Sequence, residues 1–339
     1  MTELARPREA ALDLARGLAV LGMAFMHLVP MDAHGPLLDR GLAVLARGLE
    51  GRAATLFCLL AGMAWALQGA RHGDSHRFPG YLRRRAAFLA LLGAALQAGP
   101  WTTEVLLPLA LMMLLAFALR AAGPRALVAG GLLLAGAAPW LVARGAVGPE
   151  TLAGAPGVLR FLLVDGHYPL VPWLAFPLLG MAAWDRGWLG PDRAGRTCLI
   201  SLGLHGVMLA GVALAGARHP QLALTWTPPS LPFVLAQASG ALAGVAGLAW
   251  WHGRRGLPAW TAPLADLGRA SLSHYLLHLL VAYLPLRLAH PLEDWSARLG
   301  FAVWLGYFAL ALPLTRRWFA RRSRGPLEGL WALASGPSR

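Results

Sequence analysis

Asp13 opens the run DLARGLAVLGMAFMH, Arg16 follows one helical turn later, and His27 closes it after a charge-free interval. An acid beside an arginine can form an ion pair, and a neutral imidazole can take a proton from a hydroxyl or amine as it attacks a carbonyl. On an α-helix, the spacing puts Arg16 and His27 within about 20° of whole turns and Asp13 about 40° from His27, so the three share a face. The helical rise separates Arg16 from His27 by roughly 16 Å, about half of a hydrocarbon core. One stripe thus carries an ion pair at one end and an imidazole toward the other. The plainer alternative makes Arg16 and His27 anchors at the two membrane interfaces.

A second set lies in DLGRASLSHYLLHLLVAY, where His274 and His278 are four apart on one helical face, with Arg269 and Ser271 about one turn earlier. Two such histidines can chelate a metal, or they can hydrogen-bond across helices. No acid lies between Asp266 and Glu293 to complete a ligand set, so no metal is expected. Two further stretches pair an acid with a histidine, an arrangement that can orient an imidazole as a base. They are MDAHGPLLD (Asp32, His34, Asp39) and VDGHYPLVPW (Asp165, His167, Tyr168, Trp173). Histidine, tyrosine and tryptophan at such places also serve as interface anchors. Serine-nucleophile, phosphate-loop and dinucleotide motifs are absent from the sequence.

The elements that must hold these groups are read from composition. Of 339 residues, 57% are hydrophobic and 14% charged, and the mean hydropathy is +0.53. Soluble domains carry roughly a quarter charged residues. Recurrent apolar runs of about 20 residues predict an all-α, polytopic helical bundle in the membrane. About ten spans are expected, at 12–30, 52–70, 85–99, 104–120, 125–143, 169–185, 197–216, 231–251, 270–288 and 299–317. The first is an uncleaved span, because no small-residue cleavage site follows it. Residues 1–317 read as one membrane domain and 318–339 as a short basic cytoplasmic tail.

Net charge is +14, and every cation among the basic residues is an arginine. The clusters YLRRRAAF (Arg83, Arg84, Arg85), HGRRG (Arg254, Arg255) and TRRWFARRSR fall on one side of the predicted spans. By the positive-inside rule both termini are cytoplasmic. The arginines sit in short loops and not in a basic stripe with exposed aromatics, so a lipid bilayer is the expected partner and nucleic acid is not. Cys58 and Cys198 lie inside predicted spans and suggest no disulfide framework.

LDLARGLAVLGMAFMH resembles the opening of the transmembrane acyltransferase superfamily. GRAATLFCLLAGMAWAL, DGHYPLVPWLAFPLLGMA, LGRASLSHYLLH and GPLEGLW, in that order, resemble the bacterial YeiB-type proteins and bacterial relatives of heparan-α-glucosaminide N-acetyltransferase. The resemblance covers both ends and the middle of the chain. It implies a bacterial cytoplasmic-membrane enzyme that moves an acyl group, acetyl foremost, from cytoplasmic acetyl-CoA or another acyl-CoA. The acceptor would be a hydroxyl or amine of a sugar or lipid-like molecule at the outer face, and a homodimer is among the assemblies allowed.

Carried over by residue, Arg16 and His27 match the first-span motif, and Asp13 begins it. His34 stands in the outer loop where the N-acetyltransferase branch has its histidine, at a different spacing. The fourth span reads LLPLALMMLL, where many relatives carry a polar or aromatic pair. On this reading Asp13, Arg16, His27 and His34 are catalytic candidates. Arg83, Arg84, Arg85 and Arg269 would hold the donor's phosphates, and Asp165, His167, His274 and His278 would bind substrate. Intramembrane arginine and histidine equally suit a permease for a small polar or anionic solute, and a non-catalytic scaffold on the same fold is the third reading.

Overall fold

Apolar runs ended by glycine, proline or arginine fold as helices throughout. The computed structural model describes residues 5–32, 35–73, 75–99, 104–143, 161–215, 230–292 and 294–337. The chain runs through α1 (Ala5–Leu28), α2 (Leu37–Leu49), α3 (Arg52–His72), α4 (Phe78–Gln97), α5 (Leu106–Arg120) and α6 (Gly123–Ala143). After a π-helical turn (Phe161–Asp165) come α7 (Leu170–Trp173), α8 (Ala175–Asp185), α9 (Ala194–Ala215) and α10 (Leu231–Arg255). The remainder holds α11 (Ala262–Arg269), α12 (Ser271–Leu277), a second π turn (His278–Tyr283), α13 (Leu284–Ala289), α14 (Ala297–Phe319) and α15 (Pro326–Ser335). No strand occurs among the described residues.

Six stretches are long and apolar enough to cross a bilayer: Ala10–Leu28, Leu37–His72, Ala194–Ala215, Leu231–Arg255, Ser271–Ala289 and Ala297–Phe319. Leu106–Arg120, Gly123–Ala137 and Leu170–Asp185 are apolar but shorter. The chain is an all-α membrane protein. Each predicted segment falls on helix, with three differences of detail. The amphipathic α2, carrying Asp39, Arg40 and Arg47, precedes the second segment and runs into it within the stretch Leu37–His72. Gly51, at φ +70°, turns the chain between α2 and α3, a conformation that only glycine takes without strain. The ninth segment is broken at Ala270 and carries the second π turn. The C-terminal stretch holds α15.

The fold divides into two units, residues 1–57 with 248–330 and residues 58–247 with 331–339. In the first, α1 lies against α11, and α14 packs on α1, α2 and α11. Glycines set these distances. A Cβ on Gly17 would stand 2.0 Å from the Leu264 carbonyl oxygen, and one on Gly268 would stand 1.8 Å from that of Asp13. At the opposite end, a Cβ on Gly300 would lie 1.9 Å from the Leu28 oxygen. Helix α1 is therefore in backbone contact with a neighbour at both ends.

Phe25, Val29, Leu42, Ala46 and Ala297 form a buried cluster there, flanked by Phe301 and Trp304. Two indoles fasten the same helix: Trp304 Nε1 donates to the Leu21 oxygen at 3.0 Å and Trp295 Nε1 to that of Leu28 at 2.7 Å. Asp39 is buried and accepts from the Arg298 backbone N–H at 2.8 Å, which places a carboxylate at the positive N-terminus of α14. It also pairs with the Arg298 guanidinium at 2.8 Å.

In the second unit α4 packs on α5, and α6 on α8. Here α3 and α8 touch through Gly62 and Gly180, whose Cβ atoms would fall 2.0 Å from the Pro177 oxygen and 2.1 Å from the Leu59 oxygen. Trp173 is fully buried, with Tyr168 and Phe176 edge-on to it.

Candidate functional site

His27 sits in the last turn of α1, and the glycine contacts that fix α1 also fix its imidazole. His27 Nδ1 lies 2.8 Å from His278 Nε2, with the ring planes 12° apart. His278 is fully buried and opens the second π turn. Its Nδ1 is 2.8 Å from the backbone oxygen of His274. A carbonyl can only accept, so His278 carries its proton on Nδ1 and, when neutral, a lone pair on Nε2. His27 must then donate from Nδ1, which leaves the lone pair of neutral His27 on Nε2. The tautomers follow from the hydrogen-bond network and point the basic nitrogen of the pair away from His278.

His274 is settled in the same way. The Thr315 hydroxyl donates to the Ala311 oxygen at 2.6 Å, so Thr315 Oγ1 accepts from His274 Nε2 at 2.7 Å. His274 Nδ1 then accepts from the Tyr307 hydroxyl at 2.9 Å. Both ring nitrogens thus hold α12 to α14, and neither is offered to a substrate. These bonds match the cross-helix alternative given for this pair of histidines. The i, i+4 chelate does not form either, because both nitrogens of each ring are directed to these partners. Among the described residues no group of three histidine, cysteine or acidic side chains stands ready for a metal.

The helix bearing these histidines begins without a cap of its own at Ala270. Glu328 supplies one from α15. Its Oε1 accepts from the backbone N–H groups of Leu272 and Ser273 at 2.8 and 3.1 Å, and its Oε2 accepts from the Ser273 hydroxyl at 2.6 Å. Glu328 was not a sequence candidate, although it stands in the quoted stretch GPLEGLW. A proline followed by an acid two residues later is a helix-start signal, but its target lies some fifty residues away.

Asp13 and Arg16 form the expected ion pair within one turn of α1. Arg269 pairs with Asp266 at 3.0 Å and lies 3.9 Å over the Phe319 ring. In the second unit the arginine cluster separates by role. Arg83 is exposed. Arg84 donates to the Ser335 oxygen at 2.6 Å. Arg85 is buried, 3.4 Å from the centre of the Trp331 ring and 3.0 Å from the Tyr81 hydroxyl.

His167 is partly buried, and that burial holds its pKa below the ordinary imidazole value. Tyr168 is buried, and its hydroxyl is raised by burial and then by Cys58 and Glu104. His34 and the side chain of Asp165 lie outside the described residues. Glu104, missed in the sequence, accepts from the backbone N–H groups of Leu106 and Leu107 at the start of α5. Burial pushes its carboxyl up to about 7, against the opposing pull of those N–H groups. A lone acid directly before an apolar run is the signal that could have found it.

Apolar helices around an imidazole pair, one ring buried and the other partly so, define an integral membrane protein with a polar site inside its first unit. Residues 8–193 match the family described as heparan-alpha-glucosaminide N-acetyltransferase, catalytic. Residues 185–336 match a family described as protein of unknown function, DUF418, in keeping with the YeiB-type resemblance. No curated protein matches the chain. The first match spans more than half of the sequence, and the chain belongs to the heparan-alpha-glucosaminide N-acetyltransferase catalytic family. His27 falls in that match, and His278 and Glu328 fall in the second.

Proposed function

We propose that this protein is a membrane-embedded acyltransferase that moves an acyl group, acetyl foremost, from acyl-CoA to a hydroxyl or amine of a sugar or lipid-like acceptor. The observation that carries this reading is the His27–His278 pair, with its lone pair on His27 Nε2. His27 Nε2 takes the acceptor's proton while the acceptor oxygen or nitrogen bonds to the thioester carbon. The carbon–sulfur bond breaks, and the CoA thiolate leaves with the proton returned from the His27 imidazolium. His278 orients His27 and is a positioning residue.

Arg16 lies roughly 16 Å of helical rise from His27, too far to touch the same carbonyl. That separation is of the order of an extended pantetheine arm, so Arg16 is assigned to the phosphate side of the donor path and not to the oxyanion. The wider topology is part of the same proposal: ten spans, both termini cytoplasmic, a bacterial cytoplasmic membrane, donor inside and acceptor outside.

The test uses purified protein in liposomes, radiolabelled acetyl-CoA and a panel of amino sugars, hydroxylated sugars and lipid-linked sugars. Transfer that disappears in His27→Gln supports the reading. Full transfer by His27→Gln removes the histidine from the mechanism, and well-folded protein with no transfer to any acceptor overturns the enzyme assignment.

A further inference from the structure

Between the α12–π-turn segment and α14 lies a groove of about 490 Å³, within the size range of small-molecule sites. Its wall on α14 runs through Val303, Gly306, Leu310 and Leu314, and Leu277 and Val281 face it. From Val303 to Trp318 the helical rise is about 22 Å, enough for a long acyl chain laid along the helix. Leu310 and Val281 are more than half exposed, so the groove opens sideways along a membrane-spanning pair of helices.

The floor contains Tyr307, His274 and Thr315, but their polar atoms bond to one another. Ser273 at one end is likewise engaged by Glu328 and the Leu327 N–H. Nothing in the lining asks for a polar occupant. The end of α14 is different. Trp318 closes the groove there. Arg317 lies about 20° from the line of Leu310 by helical periodicity, and Arg321 follows in the turn just past the helix end at Phe319. Both arginines are exposed, and neither forms an ion pair among the described residues. An apolar trough that ends in two uncommitted guanidinium groups matches a molecule with a long tail and an anionic head.

We propose that the groove seats one acyl chain of an anionic phospholipid, with the headgroup phosphate held by Arg317 and Arg321. A guanidinium binds phosphate oxygens through paired N–H donors, and its charge favours anionic over zwitterionic lipid near the membrane surface. The proposal does not depend on the acyl-transfer reading.

The experiment uses the full protein in nanodiscs holding phosphatidylglycerol or phosphatidylcholine, each with a diazirine on one acyl chain. After illumination, labelled peptides are read by mass spectrometry. Labelling of the 303–318 peptide by phosphatidylglycerol should exceed that by phosphatidylcholine about thirtyfold, from two arginines near the surface. Gly306→Phe fills the groove, and a Cβ there meets nothing within 4 Å, so the variant should fold while losing the label. Arg317→Gln with Arg321→Gln should make the two lipids label equally. Equal labelling in the unmodified protein overturns the proposal, as does full labelling of Gly306→Phe with unchanged thermal melting. Cross-links from the groove to a second copy in place of lipid also overturn it.

Discussion

His278 Nε2 accepts from His27 Nδ1 at 2.8 Å, and the opposite nitrogen of His278 is tied to the backbone of its own helix. One ring is thereby set in tautomer and angle by the other. Replacing His27 with Gln should lower kcat by about 10² to 10⁴, the range for loss of a general base. His278→Ala should leave His27 present but unoriented, so kcat should fall by a smaller factor with KM for acyl-CoA nearly unchanged. Steady-state kinetics on both variants check the split. An equal, complete loss in both would assign the chemistry to the pair and not to His27.

Glu104 supplies a pH test of stability. Its carboxyl is raised to about 7 from an ordinary value of 4.5, with burial the main cause. The folded protein therefore holds a proton that the unfolded chain has already released between those values, and folding loses stability as pH rises through about 7. The difference amounts to about 3 kcal/mol at most, from 1.36 kcal/mol per unit. Glu104→Gln, neutral at all pH, should melt near the unmodified protein at pH 5 and above it at pH 8. A gap that does not change with pH would contradict the assignment.

Glu328→Ala removes an acceptor from two backbone N–H groups and a hydroxyl at the start of α12. A lost helix cap costs about 1 kcal/mol, and a buried unsatisfied donor adds about 1–3 kcal/mol. The expected loss is about 2–4 kcal/mol in thermal unfolding. Glu328→Gln retains one carbonyl acceptor and should recover part of it. Hydrogen exchange at Leu272 and Ser273 should rise in the alanine variant first.

Gly17→Ala and Gly300→Ala each drive a methyl into a backbone carbonyl that cannot retreat as a side-chain tip would. Overpacking costs about 1–3 kcal/mol or more. Gly211→Ala, in α9, meets nothing within 4 Å and should be neutral or stabilising by up to about 1 kcal/mol from helix propensity. Parallel melting curves for the three variants give the comparison.

The first helix was legible because its polar groups share a face, and the His274–His278 spacing was legible for the same reason. Periodicity within one helix could not join them, since His27 and His278 stand 251 residues apart. Tyr307 and Thr315 passed as members of an apolar span; only tertiary contact reveals that they fill both nitrogens of His274. The break at Ala270 was hidden because DLGRASLS reads as continuous helix. Just before it Gly268 packs closely on the Asp13 carbonyl, and just after it the fresh start is capped from Glu328. Arg85 shows the same limit of local sequence. Its neighbours in sequence suggested an open cationic cluster, whereas Trp331 covers it from the far end of the chain.

The separation of the two rings also imposes an order on biogenesis. At about 5–20 residues per second, synthesis reaches His278 roughly 13–50 s after it has passed His27. Asp13 and Arg16 can compensate each other's charge at once, because one turn of one helix holds both. His27 must meanwhile wait in a half-built bundle before its companion ring exists. The first segment therefore enters the bilayer with one polar group cared for locally and another mortgaged to the last third of the chain. Assembly quality control that senses an uncovered imidazole in α1 would report directly on whether the second π turn has arrived.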